Sequence, residues 1–447
     1  MPQYWTRGEG RRVGVAGLGR SGRAAARLLS SHGFEVVGFD DNPEIEPCEW
    51  CSKVYAGGSG LEQVGSLEGL VMSPGIGLRA PLPGAASAAG IPVIGEIELA
   101  FRSMQTPILA VTGSNGKTTT VEWVGFILRK AGLKTVVAGN VGYPFAAAVL
   151  DNPLVDWFVL EVSSYQLETI ETFKPAGAAI LNLTPDHLQR HGNMEGYRSA
   201  KARILSNQHS EDLAVLNIDD PESLPLLGLA RGMEEHFSIE RSVRNGAQAS
   251  EGNIWLVREG GRTLVMPVDR LSLPGRHNLA NALASVCLAG RAGVPIQAMV
   301  EGLSTFPGVP HRIEKIRTLE GVDWVNDSKS TNQDSLRVAL ESFARPIILI
   351  AGGLSKGTEY SELTPLLRGK VRSIVLIGSA TDELEKAWFG AAPIVKAGDL
   401  ENAVRICRKS ALPGEVVLLS PACASFDQYR NFEERGDHFR RLVEEME

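Results

Sequence analysis

Cysteine is scarce in this chain: 447 residues carry five, at positions 48, 51, 287, 407 and 423. A sparse, odd set excludes a disulfide framework and fits a reducing compartment. Cys48-Glu-Trp-Cys51 has C-x-x-C spacing, but no second pair completes a zinc site and no thioredoxin-like pattern surrounds it. Long apolar runs are missing too, none approaching the roughly eighteen uninterrupted residues of a membrane span. The stretch 1–12 is polar, and the first apolar run, Val13 to Leu18, is strand-length and ends in glycines rather than at a signal cleavage site. A cytoplasmic protein without a membrane span is expected. There is no clustered Lys/Arg tract, and with a net charge of −7 and a pI near 5.8 the electrostatic footprint of nucleic-acid binding is absent. Internal repeats and low-complexity tracts are also lacking.

What remains is an ordinary globular composition, 43% hydrophobic and 22% charged. A chain this long exceeds one core, and about 100 to 200 residues per domain suggests three domains. The most informative stretch is Pro107 to Lys130. There Ile108-Leu-Ala-Val111 breaks into Thr112-Gly-Ser-Asn-Gly-Lys-Thr-Thr-Thr120 and resumes as Val121, Val124, Ile127 and Leu128. This reads as strand, phosphate loop and helix. Gly113 and Gly116 let backbone N–H groups of Ser114, Asn115 and their neighbours turn inward on an anion. Lys117 reaches terminal phosphates, the hydroxyl of Thr118 is placed for Mg²⁺, and Thr119 continues the helix N-terminus. Val111 stands where G-x-x-x-x-G-K-[ST] has its first glycine. The flanking strand and helix, and the acidic and histidine-bearing strand ends downstream, argue against a chance Gly-Lys-Thr in a plain βα turn. ATP is the expected ligand.

Upstream, a strand from Arg12 to Ala16 leads into Gly17-Leu-Gly19-Arg20-Ser21-Gly22, a helix from Arg23 to Ser31, and a strand from Phe34 ending at Asp40. G-x-G-x-x-G followed about twenty residues later by an acid is the dinucleotide fingerprint. Its physics asks only for a diphosphate joined to a polar sugar or base, so NAD and a UDP-sugar both fit. Gly69 to Ile76 reads as another strand entering a tight turn at Ser73-Pro74-Gly75, either a ligand loop on the same edge or a turn and nothing more.

Gln105-Thr-Pro107 is a linker candidate. Trp157 to Glu161 is a buried-type strand with a carboxylate at its exit, where a nucleotide-bound Mg²⁺ needs oxygen. Ala176 to Leu183 is a third strand, followed by Asp186 and His187, which either serve chemistry or cap a helix over 185–190. Lys201 falls on a helix from Met194 to Leu205, where a lone lysine usually faces solvent. A hairpin is expected over 253–268 and a small-residue helix over 279–292. Beyond Pro307-Gly-Val-Pro310, apolar strands at 347–351, 373–377 and 416–419 alternate with helices, predicting another doubly wound sheet.

Taken together, these blocks resemble the Mur ligases, ATP-dependent amide-forming enzymes that build the peptidoglycan stem peptide. The resemblance rests on Thr112 to Thr119, Glu161-Val-Ser-Ser-Tyr-Gln-Leu, Asn182-Leu-Thr-Pro-Asp-His187, Tyr197-Arg-Ser-Ala-Lys201, Arg276-His-Asn-Leu-Ala-Asn281, Pro310-His-Arg312 and Asn326-Asp-Ser-Lys329, in that order. The family also lacks the first loop glycine. Ser420 to Gln428, Asn431-Phe-Glu433 and Arg435-Gly436, with Gly17 to Gly22, are similar to the branch that adds D-glutamate. Gly353-Leu-Ser-Lys356 fits less closely.

The resemblance implies an α/β chain of three doubly wound domains. These are a Rossmann-like UDP-substrate domain over 1–104, a P-loop ATPase-like domain over 105–308 and a Rossmann-like amino-acid domain over 309–447. It implies D-glutamate addition to UDP-N-acetylmuramoyl-L-alanine through an acyl phosphate, by a monomer using ATP with Mg²⁺, or Mn²⁺ in its place. Gly19, Arg20, Ser21, Asp40, Ser73 and Gly75 would hold the UDP substrate. Lys117, Asn278, Asn281, Arg312 and Asp327 would serve ATP. Thr118, Glu161, His187 and a carbamylated Lys201 would hold metal, and Asn140 and Asp186 would place substrates. Lys329, Thr331, Lys356, Ser425, Phe426 and Phe432 would surround the amino acid. Two other readings use fewer of these blocks. A dehydrogenase leaves the phosphate loop unexplained, and a nucleotide-gated binding protein would bind ATP without phosphate release.

Overall fold

The computed structural model describes residues 5–140, 142–355, 357 and 359–446. The chain divides into two compact units, one ending at Phe306 and one beginning at Pro307. The first unit contains two sheets. Five strands, β1 (Arg12–Ala16), β2 (Glu35–Asp40), β3 (Lys53–Ala56), β4 (Gly69–Met72) and β5 (Val93–Gly95), form a wholly parallel sheet in the order β3-β2-β1-β4-β5. The order reverses between β1 and β4, so their exit loops diverge and leave a crevice at the carboxyl edge. The helix after β1 is Arg20–Ser31, so it opens inside the glycine motif rather than at Arg23. The cause is at Gly22, where a Cβ would lie 1.7 Å from the Gly17 carbonyl oxygen; only glycine lets the helix begin this close to the strand.

The second sheet takes β6 (Ile108–Thr112), β7 (Thr135–Gly139), β8 (Trp157–Glu161), β9 (Gly177–Ile180), β10 (Leu213–Asn217), β11 (Met233–Ser238), β12 (Gly246–Ser250), β13 (Asn253–Arg258) and β14 (Gly261–Pro267). Its order is β14-β13-β12-β11-β10-β9-β6-β8-β7, parallel through β12, and the expected hairpin supplies the antiparallel end. β6 is covered on both faces and flanked by β8 and β9, which is why its sequence is continuously apolar. The helix Lys117–Lys130 buries Trp123, whose indole N–H donates to the Gly302 carbonyl at 3.1 Å.

Helix Glu96–Arg102 ties the two sheets together. Glu98, fully buried, accepts backbone N–H groups of Glu171, Thr172 and Phe173 at 2.9 Å each, the Thr172 hydroxyl at 2.6 Å and Arg102 Nε at 2.7 Å. Burial alone would raise its pKa, but these donors outweigh it and the pKa is lowered. Glu98→Ala is expected to cost about 3 to 5 kcal/mol, because it strands several buried donors; urea denaturation at pH 7 measures it. Since the folded pKa lies below the unfolded one, this stability is complete above the ordinary value of 4.5 and is lost as the pH falls through the folded value.

The second unit, from Pro307 onward, carries β15 (Glu314–Leu319), β16 (Val322–Asn326), β17 (Ile347–Gly352), β18 (Val371–Ile377), β19 (Ile394–Gly398) and β20 (Val416–Leu419), in the order β15-β16-β20-β17-β18-β19. All pairs are parallel except β15 with β16. The three strands read from sequence are three of the four interior ones; the fourth, β16, is equally buried, but Asp323 and Asn326 break its apolar run. The edge strands β15 and β19 mix half-buried and exposed residues and so lacked a continuous apolar signal. Among the described residues no helix is long and apolar enough to cross a membrane.

Candidate active site

In a parallel sheet every strand delivers its exit residues to the same edge, so residues far apart in sequence meet there. At the edge of the first sheet, Asp40 accepts the N–H of Leu18 at 2.6 Å through one oxygen and that of Asn42 at 2.9 Å through the other. The Ser73 hydroxyl donates to the Gly17 carbonyl at 2.8 Å, joining the turn after β4 to the glycine loop. Gly19 and Arg20 are exposed at the start of the helix, Ser21 is half-buried, and Gly75 is exposed at the tip of the other loop. The six residues expected to hold a diphosphate-linked ligand thus gather on one crevice. Cys48 and Cys51 on the neighbouring loop are free thiols.

The second sheet builds the phosphate loop. Gly116 has φ +83°, and a Cβ there would lie 2.4 Å from Asn281 Oδ1, so glycine is required both by conformation and by the asparagine packed on it. Lys117 Nζ donates to the carbonyls of Gly113 and Ser114, each at 2.8 Å, curling over the loop. Asn182 exchanges hydrogen bonds with the backbone of Asn115, at 2.8 and 3.1 Å, and the Ser114 hydroxyl pairs with Tyr197 at 3.0 Å. Sequence reasoning gave Asn182 and Tyr197 no role, although both stood in its blocks; their positions beside the loop depend on β9 and a helix reaching it. Thr119 is buried in the first helical turn, and Asn278 donates to the Pro274 carbonyl at 2.9 Å from within the helix Arg276–Arg291.

Beside the loop, Thr118 Oγ1 donates to Glu161 Oε2 at 2.6 Å and Asn140 Nδ2 to Glu161 Oε1 at 2.9 Å. Glu161 is buried at 3% exposure. A buried carboxylate and a hydroxyl on the rim of a phosphate loop are the hard oxygen donors Mg²⁺ takes, so the residues fit that ion. His187 and Asp186 stand on the loop after β9, exposed, 3.4 Å apart. The capping alternative fails for them. The helix is Leu188–His191, and His187 sits before it in left-handed backbone (φ +54°) without a side-chain cap bond. Among the described residues neither joins a ready-made group of three His, Cys, Asp or Glu ligands; the group found, His209, Glu211 and Asp212, sets two exposed residues beside the buried Asp212.

Lys201 is not on a solvated face. Asn193 caps its helix through the Gly196 N–H, and the helix buries the face that carries Tyr197, Ala200 and Lys201, the last 2% exposed. Nζ donates to the Gly113 carbonyl at 2.9 Å and the Thr112 hydroxyl at 3.3 Å. Burial, with the charge of Lys117 adding to it, lowers its pKa to about 6. Burial thus favours the neutral amine over the ammonium.

In the second unit Asp327 is 4% exposed at the exit of β16, accepts the Ser420 hydroxyl at 2.8 Å and the Ile313 N–H at 3.1 Å, and has its pKa pushed to about 7 by burial. The charge of Arg312 acts on it in the opposite direction. Lys329 Nζ lies 5.6 Å over the Phe432 ring, Thr331 is half-buried, Ser425 is buried and Phe426 is 68% exposed. Lys356 lies outside the described residues. Arg435, 1% exposed, is a residue to which the sequence assigned no task. It donates to the Ser328 hydroxyl at 3.0 Å and to the carbonyls of Ser328 and Cys423 at 2.9 and 3.2 Å, lacing together the loops that carry Lys329 and Ser425.

A parallel α/β core with a phosphate loop, an adjoining oxygen-donor site and a second, diphosphate-type crevice defines a nucleotide-using, phosphate-handling protein. Residues 111–289 match the Mur ligase middle domain, and residues 311–423 the Mur ligase, glutamate ligase domain. The chain is 43% identical to the UDP-N-acetylmuramoylalanine–D-glutamate ligase of Myxococcus xanthus, over 98% of this chain and 99% of that protein. It is 42% identical to the protein of that name from Acidobacterium capsulatum, over 97% and 96%. A crystal structure of MurF from Acinetobacter baumannii shares the fold, with a TM-score of 0.61 at 18% identity over 99% of this chain and 98% of that one. The chain belongs to the Mur ligase family.

Proposed function

We propose that this protein is an ATP-dependent ligase that adds D-glutamate to UDP-N-acetylmuramoyl-L-alanine in peptidoglycan precursor synthesis. The observation that carries this reading is the near-full-length identity to relatives bearing that name, on a chain whose phosphate loop and second crevice are both built. Three domains, 1–104, 105–308 and 309–447, divide the work between UDP substrate, ATP and amino acid. The enzyme acts as a cytoplasmic monomer.

An amide forms from a carboxylate only after the carboxylate gains a leaving group. The L-alanyl carboxylate oxygen attacks the γ-phosphorus of ATP, the bond to the ADP oxygen breaks, and an acyl phosphate results. The neutral D-glutamate nitrogen then attacks the acyl carbon, phosphate leaves, and the nitrogen loses its proton. Negative charge stays on phosphoryl oxygens throughout, so the protein's task is positioning and charge stabilisation. Lys117 exchanges the Gly113 and Ser114 carbonyls for phosphoryl oxygens. Thr118, Glu161 and His187 would hold Mg²⁺, or Mn²⁺, which when bound supplies positive charge to those oxygens. Lys201, whose lowered pKa favours the free amine, is suited to add CO₂, forming an N–C bond and releasing a proton, and the resulting carbamate would offer anionic oxygens to the same ion. Asn140 orients Glu161, and Asp186 holds His187. Asn278, Asn281, Arg312 and Asp327 would serve ATP. Lys329, Thr331, Lys356, Ser425, Phe426 and Phe432 receive the amino acid, with cation and hydroxyl donors for its carboxylates.

Purified protein with ATP and Mg²⁺ should release inorganic phosphate only when UDP-N-acetylmuramoyl-L-alanine and D-glutamate are both present. Equal release with either omitted would refute the ligase. Competition among D-glutamate, L-glutamate, D-aspartate and D-lysine in the same assay should favour D-glutamate; another winner would keep the class and change the acceptor.

A further inference from the structure

Arg190 has no task in the mechanism above, yet its guanidinium joins parts of the site carried by different sheets. Nε lies 3.2 and 3.1 Å from the two oxygens of Glu168, and Nη2 lies 2.6 Å from Oε2. The same Nη2 donates to the Ile76 carbonyl at 3.1 Å, and Nη1 reaches the Pro74 carbonyl at 3.5 Å. Its Cζ lies 4.2 Å over the Tyr165 ring. Pro74 and Ile76 belong to the turn after β4 on the five-stranded sheet; Glu168, Tyr165 and Arg190 itself belong to the segments around β8 and β9.

From Arg190 the contacts run onward in two directions. Tyr165 packs against the His187 ring with centroids 4.9 Å apart. Glu168 lies 3.5 Å from His191 Nδ1, the His191 ring packs 5.4 Å from Tyr197, and the Tyr197 hydroxyl meets Ser114 of the phosphate loop at 3.0 Å. Both ion-pair side chains are about one-fifth exposed, 20% and 18%, so water screens them only in part. Arginine is the side chain this arrangement demands. A planar fork can grip a carboxylate with two nitrogens and still aim N–H bonds at two carbonyls, which an ammonium cannot do in fixed directions.

The geometry points to Arg190 as a positioning residue that sets the Ser73–Ile76 turn against the His187 loop. A substrate anchored by its UDP end in the first crevice is thereby held so that its far carboxylate meets the phosphate loop. Arg190 acts through Glu168, Tyr165 and the turn, not on the reacting atoms. This inference rests on the ligase reading.

The test compares wild type, Arg190→Met, Arg190→Ala, Arg190→Lys and Glu168→Gln in the full chain. Arg190→Met should lower kcat/KM for UDP-N-acetylmuramoyl-L-alanine about ten- to a hundredfold, the worth of charge-assisted hydrogen bonds. The Kd of UDP alone and the KM of ATP should stay within about twofold, because Asp40 with the glycine loop on the other side of the crevice, and Lys117 on the phosphate loop, keep their own bonds. Arg190→Lys should fall between, and guanidinium ion should restore part of the activity of Arg190→Ala. Glu168→Gln, which keeps the shape and one acceptor, should shift kcat/KM in the same direction by less, and it provides the readout if the arginine variants fail to fold. An unchanged kcat/KM, or an equal loss of affinity for UDP alone, would overturn the positioning role while leaving the ligase intact. Absence of ligation by the wild type would overturn both.

Discussion

Lys117→Ala is expected to lower phosphate release about a hundred- to a thousandfold, the cost of removing one preorganised donor from a charged transition state, and more because a full cation is lost. The variant should fold, since Lys117 is the first residue of its helix and lies outside the hydrophobic core. Binding of UDP-N-acetylmuramoyl-L-alanine should change by no more than about twofold, because the Asp40 crevice is built by a different sheet. Isothermal titration with the UDP substrate, run beside the phosphate assay, separates the two effects. Parallel loss of both would show that the crevice and the phosphate loop are not independent sites.

Lys201→Ala should be nearly inactive, and small carboxylic acids such as acetate or formate should restore part of the rate by refilling the space with an anionic oxygen. A fully active variant would reduce Lys201 to packing. A second signature comes from stability. The folded pKa of about 6 lies below the ordinary 10.5, so the unfolded chain binds the proton more readily and the buried amine penalises folding. That penalty is greatest below pH 6 and fades as the pH rises toward 10.5. Lys201→Met, similar in length and uncharged, should therefore raise the unfolding temperature in CO₂-free buffer, most at low pH. Bicarbonate should narrow the gap at pH 8 by stabilising the wild type alone. A residue kept at a cost to stability, and needed for activity, is expected at a functional site rather than in a core.

The sequence by itself determined the strands that carry the chemistry and the loops at their ends. β1, β6 and β20 are buried on both faces over Val13–Ala16, Ile108–Val111 and Val416–Leu419, which therefore carry no polar side chain, and glycines 17, 22 and 116 mark places where backbone must pass backbone or side chain too closely for a Cβ. The donor set could be read for the same reason: a phosphate loop needs its glycines, lysine and threonine adjacent in the chain.

Tertiary structure alone decided what those residues touch. Lys201 reads as a solvated helix lysine until its helix buries the face shared with Tyr197 and Ala200 beside the phosphate loop; burial, which no local pattern encodes, then lowers its pKa. Glu98, Arg190 and Arg435 carried no signal because the partners through which they join separate segments lie about seventy to more than a hundred positions away in the chain, as from Glu98 to Thr172, from Arg190 to Ile76 and from Arg435 to Ser328. A motif is legible when its ligand is gripped by consecutive residues. A clamp between sheets exists only once parallel strands have brought their exit loops to a common edge.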